Sequence, residues 1–141
     1  MPGAVDQRWA VAKREEEVQS DDDAVRKDLV VLDTIPMEEA FGCIAEDAVA
    51  TYDVFLRTTR PLLAETESAL AAANLGVAAE KAHSAKGAAN MTGAYRLGAL
   101  FADIETGLKS GDLATVRRKL DAVPAVFAEV EDAINAIRAG L

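Results

Sequence analysis

The sequence specifies an all-α protein, an antiparallel four-helix bundle with an extra N-terminal segment that is helical or partly disordered. Half of the 141 residues are hydrophobic but only 5% are aromatic, and alanine and leucine dominate, which suits helices packed closely through small side chains. Apolar residues recur three and four apart through most of the chain after residue 36. No stretch alternates apolar and polar residues with a period of two, so no sheet is expected. The length suffices for one domain with a hydrophobic core.

Residues 1–35 read as an acidic arm. They hold "KREEE" and "DDD", and Val5, Trp9 and Ala12 have the spacing of a short amphipathic helix able to dock on the body. Residues 36–141 read as the bundle. In "DTIPMEE", Asp33 or Thr34 precedes Pro36 with acids in the first turn, a helix start. The first long helix carries Phe41, Ile44, Ala48, Tyr52, Phe55, Leu56, Leu62, Leu63 and Leu70, and Pro61 is expected to bend or break it. "NLGV" turns into a helix over 75–91, which Gly93 stops. The next helix places Leu97, Leu100, Phe101, Ile104 and Leu108 on one face. It ends at "KSGD", where Gly111 closes it and Asp112 caps its successor. The last helix is a seam of Leu113, Val116, Leu120, Val123, Phe127, Val130, Ile134, Ile137 and Leu141, which Pro124 kinks without ending.

The net charge of −9 argues against nucleic acid, because a phosphate-binding surface needs a basic stripe. Cys43, the single cysteine, excludes an internal disulfide and reads as a small buried hydrophobe in a reducing compartment. The first residues show no secretory signal and no window is apolar enough for a membrane span, so a cytoplasmic protein is expected. No glycine-rich ATP loop and no cluster of metal ligands is present.

The only histidine, His83, stands in "AHSAKGAANMTGA". At about 100° per residue, Leu75, Ala78, Ala82, Ala85 and Ala89 form the core stripe of its helix, and His83 points away from them. Ala79, Glu80, Lys86, Gly87 and Asn90 share its face. A mid-helix glycine costs about 1 kcal/mol relative to alanine, which makes sense where something must approach the imidazole closely. Lys86 places an ammonium beside any anionic oxygens held there, and a neutral imidazole is a competent nucleophile. On helix geometry alone, a solvated surface histidine accounts for the pattern as well.

The wider stretch "AHSAKGAANMTGAYRLGALFADIE" resembles the signature of the histidine-containing phosphotransfer (HPt) domain of two-component phosphorelays. The resemblance lies in His83, Ser84, the Lys86-Gly87 pair, Gly93-Ala94, and Leu97, Leu100, Ile104 and Glu105. "VFLRTTRPLLAETESAL" and "SGDLATVRRKLDAVPAVFAEVEDAI" are similar to the family's preceding and final helices, so the likeness spans about residues 40 to 138. The family usually has a larger apolar residue where Ala85 stands and a Gly-Asp turn where this chain has "AAANLGV". The resemblance implies a stand-alone, monomeric phosphocarrier and not an enzyme. Its partners would be response-regulator receiver domains and a sensor histidine kinase, hybrid kinases included, with no nucleic acid and no membrane. His83 would accept the phosphoryl group through Nε2, Lys86 would stabilise its charge, and Gly87 would leave room for the receiver. Ala79, Glu80, Ser84 and Asn90 would lie against the partner. No cofactor of its own is implied, and the Mg²⁺ of such transfers belongs to the receiver.

Two other readings compete. A docking module with the same bundle would bind and inhibit a kinase or sequester a receiver, but it has no need of His83, Lys86 and Gly87 together. A kinase dimerisation bundle normally has an acidic residue directly after its histidine, where this chain has Ser84.

Overall fold

The computed structural model describes residues 24–141; residues 1–23, with Trp9 and the expected docking helix, lie outside this range. The described residues form helices α1 (Ile35–Phe41), α2 (Glu46–Ala71), α3 (Leu75–Thr92), α4 (Tyr95–Ser110) and α5 (Leu113–Ala139), with no strand among them. Helix α2 packs on α3, α3 on α4 and α4 on α5, and α5 returns against α2. Turns this short force neighbours to run antiparallel, so the four long helices close into the expected bundle. None of the described helices is long and apolar enough to cross a membrane.

The core is filled by Tyr52, Leu97, Leu100, Phe101, Ile104, Leu120 and Ile134, all essentially inaccessible. The fully buried side chains of helix α3 are all alanines, Ala78, Ala82, Ala85 and Ala89. Their small side chains let α2 and α4 close on α3 and hold its opposite face at the surface.

The caps follow the sequence closely. Thr34 precedes α1 with Pro36 in the first turn, Asn74 accepts from Val77 N at 3.2 Å, and Asp112 accepts from Thr115 N at 3.2 Å. Gly93 (φ 98°) and Gly111 (φ 81°) end their helices in the left-handed region. In the "AAANLGV" turn, Ala73 takes the left-handed conformation (φ 60°) that glycine would adopt without strain.

Pro61 does not break its helix. Helix α2 is continuous through it, and the interruption falls instead at residues 42–45, after Gly42 caps α1 at φ 81°. Pro61 and Arg57, whose carbonyl loses its helical donor, are both on the exposed side, so water can satisfy that carbonyl. Tyr52, Phe55 and Thr59 before the proline and Thr66 and Ala69 after it are buried, and this shared packing holds the helix together. Cys43 lies exposed in the 42–45 turn and is not the buried hydrophobe expected. Pro124 likewise leaves α5 unbroken, and the seam is buried from Val116 to Ile134, while its ends, Leu113 and Leu141, are exposed.

Residues 24–34, expected to belong to the arm, are fastened along the bundle. Ala24 is buried, and its carbonyl accepts from Lys119 Nζ at 3.0 Å, the same ammonium that meets Asp103 at 2.9 Å. Arg96 donates to the carbonyls of Leu29 and Lys27, both at 3.0 Å, and its backbone N–H to that of Val30. Asp33 N–H donates to Gly93 O at 2.8 Å. A Cβ on Gly93 would lie 2.1 Å from Asp33 O, so positive φ and close approach both demand glycine. Gly93→Ala is expected to lower stability by about 2 kcal/mol or more, read as a shift of the denaturant midpoint at unchanged slope.

Candidate functional site

His83 and Glu105 stand on α3 and α4, each eleven residues from Ala94 in the turn between them. In an antiparallel hairpin, positions equidistant from the turn come face to face. Glu105 follows Phe101 and Ile104 on the apolar stripe of α4, so its side chain is only 9% exposed, whereas that of His83 is 65% exposed. The imidazole leans over the carboxylate, with Nδ1 at 3.1 Å from Oε2 and 3.3 Å from Oε1.

Two lysines complete the cluster. Lys86 Nζ, from the turn of α3 after His83, meets Glu105 Oε1 at 2.9 Å. Lys109 Nζ, one turn beyond Glu105 on α4, meets Oε2 at 2.8 Å. Hydrogen bonds from Lys109 first and Lys86 second lower the Glu105 pKa from 4.5 to about 2. Burial opposes them, and the His83 contact and the Lys86 charge add to the lowering. Glu105 is therefore ionised at neutral pH and can only accept. The neutral imidazole then donates from Nδ1, which leaves the Nε2 lone pair as the nucleophilic position of an exposed ring.

Around this pair runs an open groove of about 600 Å³, bounded by Leu75, Ala79, Glu80, Leu108 and Lys109. Glu80, Ser84 and Asn90 are exposed on the His83 side. Ala79 is 7% exposed and lines the groove beside His83. Asn90 lies across Gly98 of α4, where a Cβ would fall 2.0 Å from its Oδ1. Gly87 is different, because a Cβ there would meet nothing within 4 Å. Folding therefore does not require glycine at that position. Lys86 rests on Glu105 and is 29% exposed. Among the described residues no group of His, Cys, Asp or Glu could hold a metal ion.

Sequence reasoning placed Glu105 only within a pattern and passed over Lys109. The signal for Glu105 was present: an acid on the core stripe of α4 must find cations or donors when buried. Arg96 secures residues 27–30, and Arg60 pairs with Glu131 and lies over the Phe127 ring at 5.0 Å.

No curated protein and no solved structure matches the chain. A family model does: that of the Hpt domain matches residues 50–140, from the first turns of α2 to the end of α5, with His83, Lys86, Gly87, Glu105 and Lys109 all inside the matched span. The bundle, the exposed histidine and this match agree, and the chain belongs to the Hpt domain family, whose members carry phosphoryl groups in phosphorelays.

Proposed function

We propose that His83 is the phosphoacceptor of this Hpt domain, taking a phosphoryl group at Nε2 from a receiver phosphoaspartate or a histidine kinase and passing it to a response-regulator aspartate. The observation that carries this reading is the exposed imidazole whose Nδ1 is held on buried Glu105. In the forward step the Nε2 lone pair attacks phosphorus and a P–N bond forms. With a phosphoaspartate donor the P–O bond to the carboxylate breaks and the carboxylate leaves with the electron pair; with a kinase phosphohistidine the P–N bond breaks and the imidazole leaves with it. Nδ1 keeps its proton throughout, and the positive charge the ring acquires is met by Glu105. Lys86 turns to the phosphoryl oxygens. Mg²⁺ is supplied by the receiver, and no cofactor is needed from this chain. A monomer working in the cytoplasm beside its kinase and regulator fits the reading.

The test mixes the protein with a labelled kinase–receiver pair and follows transfer beside a His83→Ala control. Acid-labile, alkali-stable label that needs His83 supports the proposal. Tight receiver binding with no label across the partner set would replace it with the docking-module reading.

Gly87 offers a separate check on access. Because its Cβ position is open, Gly87→Ala should fold and gain about 0.5–1 kcal/mol from helix propensity. Gly87→Tyr should slow transfer from the receiver tenfold or more, yet leave labelling by phosphoramidate, a small donor, near the native rate. Equal slowing with both donors would remove the access role.

A further inference from the structure

We propose that Lys109 is the positioning residue of this site: it holds the Glu105 carboxylate seated against His83 Nδ1, so that Lys86 can leave Glu105 for a phosphoryl group on Nε2. The inference rests on the phosphoacceptor reading for the role of Lys86; the hold of Lys109 on Glu105 stands on geometry alone.

Three donors share two buried oxygens. Lys86 reaches Oε1 from α3, whereas Lys109 reaches Oε2, the oxygen nearer Nδ1, from within α4. Glu105 and Lys109 are four apart with the acid first, the favourable order on a helix. Their contact lies within one rigid element and does not depend on how α3 is loaded. Lys86, three residues after His83, shares the surface where a phosphoryl group would stand. That group brings about −1.5 to −2 charges, and one ammonium carries a single positive charge to set against it and Glu105 together. Once Lys86 turns away, a carboxylate 9% exposed would be short of a cation unless another remained, and an unpaired buried charge is strongly destabilising. Lys109 remains. Its side chain is 66% exposed, and an ordinary surface pair of this kind contributes little; the burial of Glu105 makes this one different. The titratable groups around the carboxylate are Lys109 on α4, and His83, Lys86 and, across the groove, Glu80 on α3.

The experiment uses the full chain with Lys109→Met, Lys109→Arg and Lys86→Met. The Glu105 carboxyl is titrated by ¹³C NMR, and the His83 tautomer is read at alkaline pH from its ring ¹⁵N shifts. Lys109→Met should raise the Glu105 midpoint by about one pH unit or more and mix the His83 tautomers. Lys109→Arg should restore both. Lys86→Met should leave the proton on Nδ1. The inference is overturned if Lys109→Met leaves midpoint and tautomer unchanged, or if Lys86→Met mixes the tautomers equally. Labelling by phosphoramidate runs in parallel. A wild-type protein that takes no label at His83 would sink the phosphoacceptor reading, while the NMR readouts still decide the hold of Lys109 on Glu105.

Discussion

His83→Ala should take no acid-labile label from any phosphorylated receiver or kinase, and should take none from phosphoramidate. The loss should be complete, because no second imidazole exists in the chain to accept a P–N bond. The folded protein should survive the change. The His83 side chain is 65% exposed, and exposed substitutions usually move stability by about 0.5 kcal/mol or less. Native helical content and an unshifted thermal midpoint, measured on the same sample, would make the missing label a statement about chemistry. Label persisting in this variant would place the acceptor elsewhere and end the proposal for His83.

Glu105→Gln should have the second largest effect, and it should appear in two measurements. The amide oxygen can still accept from Nδ1–H, so the ring keeps its orientation but loses the anion that meets its developing charge. A charge-assisted hydrogen bond contributes about 1.5–3 kcal/mol, so labelling at His83 should slow by roughly tenfold to a hundredfold. The same substitution should change stability against pH. The pKa of Glu105 is about 2 when folded, against 4.5 for the free group. A group depressed in this way contributes stability that is fully present above the unfolded pKa and is lost as pH falls through the folded one. The native protein should therefore weaken as pH drops from about 4.5 toward 2, the interval between those two values. The loss from this residue should be roughly 2 kcal/mol, after discounting for the solvent that screens exposed Lys109 and His83. In Glu105→Gln that part of the acid limb should vanish. An acid limb identical in both proteins would mean that the lysines do not hold the carboxylate as the distances indicate.

These two expectations draw unequally on what the sequence shows. The proposed acceptor is legible in the amino-acid sequence, because one histidine stands off the alanine stripe of its helix with Lys86 and Gly87 beside it and the stretch around it resembles the Hpt signature. Its partner is not. Periodicity assigns residues to faces of single helices, and Glu105 reads there as an acid among core positions without a reason. The reason becomes visible only when α3 and α4 fold about Ala94 and bring the two residues together. Lys109 is harder still, since an exposed lysine near a helix end is ordinary composition until its neighbour is known to be buried.

The fold divides along the same line. Helix starts and stops are local events governed by caps, positive φ and side-chain spacing, so Thr34, Asn74, Gly93, Gly111 and Asp112 mark them in the sequence itself. Proline is a local signal too, yet at Pro61 it does not end the helix. Whether a helix breaks there depends on whether the flanking residues share one core, and Tyr52, Phe55, Thr66 and Ala69 do. Residues 24–34 look like part of an acidic tail because their anchors, Arg96 and Lys119, lie far along the chain. By itself the sequence determined four amphipathic helices, their order and an exposed histidine, because local propensity and periodicity carry that information. Only the tertiary structure decided that a buried carboxylate orients the histidine, which lysines hold that carboxylate, and where residues 24–34 attach. Contacts between segments distant in sequence leave no period to read.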